Sequence, residues 1–142
     1  MGKVYKKTEI IFVADVMLSL DHVAVVNENT LLKEVLEEMG LKRLGTACIV
    51  NKDNKLMGVI TDGDLRRILL KVQKPFSAFF SDDALDHASL KPIISKPTDT
   101  LLQAVEIMGS KQIWDLPVVE TSGVLVGLLH LHPAVQVLLD KE

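Results

Sequence analysis

The 142-residue chain has few of the residue types that mark secreted, redox-active or nucleic-acid-binding proteins. Cys48 is its one cysteine and lies within an apolar run, which predicts a reducing, cytoplasmic setting where the thiol packs as a small hydrophobe. The aromatic residues are four Phe, one Tyr and one Trp, and none is interleaved with a basic stripe. Together with a formal net charge of −3, this argues against nucleic-acid binding.

Long apolar runs are also missing from the sequence. No segment reaches the roughly 18 consecutive apolar residues of a membrane span, so no membrane partner is expected. The first seven residues are basic but are followed by neither an apolar region nor a small-residue cleavage site, so no signal peptide is predicted. Apolar residues nevertheless make up 48% of the chain, enough for one compact domain or two packed half-domains.

The second half of the sequence repeats the first at a constant offset, the one that takes Gly58 to Gly127. The same shift aligns Leu32, Leu36 and Met39 with Leu101, Val105 and Met108. These apolar stripes need only a core or a dimer face to explain them. Because one offset serves so many positions, a duplicated supersecondary unit is predicted.

Each unit is predicted to fold as β-α-β-β-α. The first copy has strands over 23–26, 47–50 and 56–61 and helices over 31–41 and 64–71. The second has strands over 92–94, 116–119 and 124–130 and helices over 101–108 and 133–140. Since one unit of about 50 residues is too small for a stable core, we expect two copies packed sheet to sheet with pseudo-two-fold symmetry, an α/β (α+β) fold.

The repeat divides the chain into four segments. Residues 1–12 form an arm, read as a lead-in or linker from an absent upstream domain or as a loosely attached segment. Residues 13–71 are the first repeat and residues 92–142 the second. Residues 72–91 are a linker that we expect to be held to the surface by Pro75, Phe76, Phe79 and Phe80.

The first copy ends its last apolar run in Thr61, Asp62, Gly63 and Asp64, where a helical pattern begins. A hydroxyl beside a helix N-terminus suits a phosphate, a carboxylate suits ribose hydroxyls, and a glycine allows close backbone approach. Asp62 or Asp64 could also simply cap the helix, and the sequence leaves open which of the two would contact a sugar.

The corresponding segment of the second copy has lost the threonine and the aspartate. It carries His130 and His132, which would share one face of an extended strand. Only two candidate ligands at such spacing do not make a metal site, so none is predicted. We expect the two imidazoles to line a second cleft and to hydrogen-bond a phosphate or sugar there, with a pH dependence near about 6.5.

Other side chains do not indicate chemistry of their own. Trp114 could stack on a base, but a lone tryptophan beside an apolar strand is more typical of a core or an interface. Arg66 and Arg67 are predicted to be solvated, although one could reach a phosphate. No nucleophile–base pair, glycine-rich phosphate loop or pair of acids stands out, so we expect no catalysis by this chain alone.

Three segments of the sequence resemble a tandem cystathionine-β-synthase (CBS) domain pair. They are the V-A-D-V-M run at 13–17, the G-h-x-T-x-x-D pattern at 58–64 and the L-P-V-V run at 116–119, and the likeness spans about 13–139. Residues 61–67 with 129–132 are similar to the C-terminal CBS pair of arabinose 5-phosphate isomerases, enzymes of Kdo and capsule biosynthesis.

The sequence departs from that pattern in two places. Pro133 follows His132 where the family has an aspartate, and residues 79–85 replace the D-V-M run that would lead into the second copy. Both departures weaken the second site more than the first.

The resemblance implies a regulatory function rather than catalysis. A nucleotide such as AMP or ATP, or a CMP-sugar, would bind with Thr61 on its phosphate, Asp64 on its ribose, and Thr46 and Ala47 as a wall. No cofactor would be required. The family also implies an upstream sugar-isomerase domain and a homodimer formed through the CBS helices. An oligomerisation module without a ligand is the alternative.

Overall fold

The computed structural model describes residues 4–71 and 75–142, and it forms an α/β fold as predicted. In the first repeat the elements are β1 (Ala24–Asn27), α1 (Leu32–Lys42), β2 (Thr46–Val50), β3 (Leu56–Thr61) and α2 (Asp62–Lys71). In the second they are α3 (Leu101–Lys111), β4 (Asp115–Val119), β5 (Leu125–His130) and α4 (Leu131–Leu139). Short 3-10 turns cover Val13–Asp15, Leu20–His22, Phe76–Ser81 and Ala84–His87.

The two sheets differ in size. β1 pairs in parallel with β2, which pairs antiparallel with β3, whereas the second sheet consists of the antiparallel pair β4 and β5. The strand predicted over 92–94 does not form, and Ser95 instead makes an isolated parallel bridge to Val118. The flanking prolines, Pro92 and Pro97, have no N–H to donate, and this limits any ladder at this edge.

A pseudo-two-fold axis relates the repeats. Leu56 donates its N–H to the Gly123 carbonyl and Leu125 donates to the Asn54 carbonyl, each at 3.0 Å, and the repeat offset exchanges these two bonds. The core between the sheets draws on both repeats: Val23, Cys48, Val50, Val59, Val119, Leu125 and Leu128. The predicted sheet-to-sheet packing is therefore confirmed.

The segment before each repeat packs on the other repeat. Leu101 of α3 donates its N–H to Ile11, and Leu32 of α1 donates to Asp82, both at 2.8 Å. Tyr5 and Ile11 are 8% and 3% exposed within the core of the second repeat, so the arm is not loosely attached. Phe79 of the linker lies reciprocally in the core of the first repeat, while residues 72–74 lie outside the described part.

The close packing of these leading segments depends on two glycines. A Cβ on Gly58 would lie 2.9 Å from the Ser89 carbonyl oxygen, and one on Gly127 would lie 2.7 Å from that of Leu18. Leu18 is therefore the structural equivalent of Ser89, whereas the repeat offset of the sequence pairs it with His87. The counterpart of 13–17 is thus 84–88, not the 79–85 expected from the sequence.

None of the described helices has the length and apolar character needed to cross a membrane.

Cys48 is buried between the sheets, and its reactivity tests that packing. Burial, and secondly the Asp115 carboxylate, raises the pKa of the Cys48 thiol to about 12, so it stays protonated below that pH. A thiol reagent at pH 8 is expected to leave the folded protein unmodified and to label one thiol per chain in denaturant. Rapid labelling of the native protein would contradict the burial.

Candidate ligand sites

The β3–α2 junction is held by a reciprocal pair of hydrogen bonds. The Asp64 N–H donates to Thr61 Oγ1 at 3.1 Å, and the Thr61 N–H donates to Asp64 Oδ2 at 2.9 Å. Arg67 donates to the other Asp64 oxygen. This is a capping box in which Thr61 is the N-cap and Asp64 the third helical residue, so Asp64 rather than Asp62 takes part in the cap.

Capping does not use up the capacity of this junction to bind. The Thr61 hydroxyl accepts one bond and can still donate its own proton, and a carboxylate has lone pairs for further donors. The Asp64 side chain is 20% exposed. The positive end of the ten-residue α2 adds a favourable field for an anion here.

Asp62 is anchored differently. Its N–H donates to the Gly45 carbonyl at 2.9 Å, and a Cβ on Gly45 would lie 2.6 Å from Asp62 Oδ2. The second repeat keeps the backbone bond, from Leu131 to Trp114, also at 2.9 Å. Residue 45 must therefore be small for Asp62 to keep this position.

The leading segment of the second repeat packs against β3 just before Thr61. Val59 and Ser89 exchange N–H···O=C bonds of 3.0 and 2.8 Å in an antiparallel bridge, so Ser89 lies beside β3 two residues before Thr61 and the Leu90 side chain packs over Gly58. Leu90 is 62% exposed there. No sequence signal marked Leu90, because its position depends on the exchange of leading segments between repeats.

Trp114 contributes to the same end of the sheets. It precedes Asp115, whose carboxylate bonds to Thr46, and Thr46 stands opposite Thr61 in the β2–β3 ladder. Trp114 is 69% exposed, so of the core or interface position expected for it, the core is excluded. Thr46 and Ala47 are 4% and 0% exposed and lie behind this surface.

The second junction has a different chemistry. His130 Nδ1 lies 2.7 Å from Asp115 Oδ1, and the Thr46 hydroxyl donates to Asp115 Oδ2 at 3.0 Å. His130 ends β5, whereas His132 is exposed in the first turn of α4, so the two do not share a strand face as expected. Pro133 has no N–H to complete a capping box there.

A shallow concavity of about 540 Å³ lies elsewhere, between the first leading segment and the end of α1. It is lined by Leu18, Asp21, His22, Leu41, Lys42 and Leu44. Leu18 also donates its N–H to the Leu128 carbonyl, two residues before His130, so one side of this concavity adjoins the strand that leads to the second junction. Within residues 4–71 and 75–142, no three His, Cys, Asp or Glu side chains converge as metal ligands would.

Two β–α junctions, each facing the leading segment of the other repeat, define a tandem ligand-sensing module. The CBS-domain family model matches residues 13–71 and 86–132. The chain therefore belongs to the CBS-domain family as a tandem pair, and the resemblance drawn from its motifs is confirmed.

Relatives and solved structures agree with this assignment. An uncharacterised protein of Helicobacter pylori is 37% identical over 117 residues, covering 82% of this chain and 34% of that protein. Arabinose 5-phosphate isomerase KdsD of Salmonella typhimurium is 27% identical over 126 residues, covering 84% and 35%. The chain thus spans about a third of these relatives. The crystal structure of CBSX2 in complex with AMP matches with a TM-score of 0.79 at 25% identity, covering 91% and 96%.

Proposed function

We propose that this CBS pair binds a nucleotide or a nucleotide-activated sugar at the β3–α2 junction and so regulates an attached domain. The main support for the proposal is the set of hydrogen-bonding groups at the β3–α2 junction. Thr61, Asp64 and the N-terminus of α2 offer groups for phosphate and ribose, and we propose that the exposed apolar side chains of Leu90 and Trp114 line the same cleft. AMP, which is bound in the crystal structure of CBSX2, contains both a phosphate and a ribose.

We propose a separate role in ligand binding for each residue of the junction, according to how exposed that residue is. Thr61 donates its hydroxyl to phosphate, Asp64 accepts from ribose hydroxyls, and Gly63 allows the phosphate to approach the backbone. Asp62 is exposed at the rim of the junction. Thr46 and Ala47 support the site from behind.

Regulation would follow from the site's position between repeats. A ligand that contacts β3 of one repeat and residues 89–91 of the other binds one relative arrangement of the repeats more tightly than another. We propose that the regulated domain is an arabinose 5-phosphate isomerase-type domain joined through residues 1–12. A CMP-sugar is then an attractive feedback ligand, and adenine nucleotides are the other class to test.

The helices favour a second candidate function, oligomerisation. Leu41 of α1 and Leu102 and Ile107 of α3 are 77%, 57% and 39% exposed. Such side chains could pair two chains into a homodimer even without a ligand.

Calorimetric titration with AMP, ATP, CMP and a CMP-sugar separates the two candidates. Gly63→Ala is the informative variant, because its methyl would meet Arg67 Nη1 at 3.5 Å and Thr61 Oγ1 at 3.6 Å, which are ordinary contacts. We expect folding to be retained or stabilised by up to about 1 kcal/mol. Affinity should fall at least about tenfold, roughly 1.4 kcal/mol, because the methyl occupies the backbone approach.

Gly40→Ala is the matched control, since a Cβ there meets nothing within 4 Å. It should leave affinity unchanged. Equal affinity of a nucleotide for the wild type and for Gly63→Ala would show that the β3–α2 junction is not part of the binding site. A dimer whose melting temperature responds to none of the four ligands would favour the oligomerisation function.

A further inference from the structure

The two junctions carry different side chains at equivalent positions of their ladders. In the first repeat Thr46 stands opposite Thr61, and in the second Asp115 stands opposite His130. Where the first pair has two threonines, the second pair has an acidic and a basic side chain. The Asp115 side chain is only 4% exposed and that of His130 is 32% exposed.

Each oxygen of the Asp115 carboxylate has a partner. Oδ2 accepts the Thr46 hydroxyl across the pseudo-two-fold axis, and Oδ1 lies 2.7 Å from His130 Nδ1. A carboxylate can only accept, so the imidazole proton belongs on Nδ1. In a neutral ring the other nitrogen, Nε2, then carries a lone pair and accepts hydrogen bonds.

We propose that Asp115 is a positioning residue that fixes His130 as the Nδ1–H tautomer, so that Nε2 makes the second cleft selective for a hydroxyl group. This goes beyond the proposed function, because it requires a ligand in the second cleft in addition to the one at the β3–α2 junction. The duplicated junctions then have opposite hydrogen-bonding polarity. The first donates to an oxyanion through the Thr61 hydroxyl and the N-terminus of α2, and the second accepts from a sugar or polyol hydroxyl.

Thr46 gives Asp115 its orientation. Its hydroxyl is buried and donates to Oδ2, which directs Oδ1 towards His130. Burial, and secondly the Asp115 carboxylate, raises the pKa of the Cys48 thiol to about 12, so Cys48 adds no charge beside Asp115. The ionisable groups on the concavity side are Asp21, His22 and Lys42, and the Lys42 ammonium already donates to the Asp21 carbonyl at 2.6 Å.

The tautomer can be read directly from ¹⁵N–¹H imidazole correlation spectra of the ¹⁵N-labelled protein at pH 8.5, where histidines are generally neutral. We expect His130 to carry its proton on Nδ1 in the wild type. Asp115→Asn should preserve this tautomer, because the amide oxygen still accepts from Nδ1. Asp115→Ala should shift the proton towards Nε2. A wild-type ring protonated on Nε2 would overturn the proposal, whether or not the alanine variant folds.

Selectivity is tested by following the Nε2 resonance during titration with cytidine and, separately, with inorganic phosphate at the same pH. Cytidine supplies ribose hydroxyls without a phosphate and is expected to shift the resonance, while phosphate alone is not. A response to phosphate only, or to neither probe, would contradict the selectivity. Loss of nucleotide binding at the first junction with the Nδ1–H tautomer intact would instead overturn the proposed function alone.

Discussion

Replacing Phe79 by alanine is expected to destabilise the fold by roughly 3–5 kcal/mol, the usual cost of deleting a buried phenyl ring. Phe79 belongs to the linker by sequence, yet it is 3% exposed and packs in the core of the first repeat with Val35, Met39 and Ile60. Its ring also lies edge-on to His87 at 6.3 Å between centroids. Urea denaturation followed by circular dichroism measures the loss.

Phe12→Ala is the matched control, because that phenyl ring lies in the other leading segment and is 42% exposed. It should cost less than about 1 kcal/mol, as is usual for a surface substitution. Equal losses for the two variants would mean that the linker does not complete the first core. The inference that each leading segment completes the opposite repeat would then be wrong.

Gly127→Ala is expected to destabilise the protein by roughly 3 kcal/mol through overpacking. The added methyl would lie 2.7 Å from the Leu18 carbonyl oxygen and 2.7 Å from Met17 Sδ. The thioether can turn aside, but the carbonyl belongs to the bridge between Leu18 and Leu128 and cannot move without breaking it. The midpoint of thermal or urea unfolding reports the change.

Gly109→Ala is the control in the same repeat, because a Cβ there meets nothing within 4 Å. As a helix-interior glycine it should stabilise the protein by about 0.5–1 kcal/mol when replaced. Gly58→Ala, with 2.9 Å to the Ser89 carbonyl, should behave like Gly127→Ala. A neutral Gly127→Ala would show that the leading segments are not held this closely to the sheets.

Much of the local structure could be predicted from the chain itself. The predicted strand over 56–61 matches β3 to the residue, and helices α1 and α3 begin within one residue of their predicted starts. Period and capping are local signals, so they can be recognised from neighbouring residues alone. The Thr61–Asp64 capping box is of this kind, since its two residues are three apart and meet whenever a helix starts between them.

The repeat offset found the duplication but misplaced the second leading segment. The offset that aligns the helices and sheets pairs Leu18 with His87, whereas Leu18 and Ser89 are the residues that make the equivalent bridges. The unformed strand over 92–94 reflects a similar limit. The apolar pattern of 92–94 is typical of a strand, but two flanking prolines at the sheet edge limit its hydrogen bonding to a neighbouring strand.

Short-range spacing along the chain was enough to predict the four helices, most of the strands and the threonine–aspartate junction of the first repeat, and the constant offset revealed the duplication. Which segments meet depends instead on how the repeats pack. Ser89 bridges Val59 next to the first junction, and Thr46 meets its own repeat equivalent, Asp115, because the two repeats exchange leading segments about a pseudo-two-fold axis. A residue and its repeat copy can touch only on such an axis, and the packing of the two sheets sets where that axis passes.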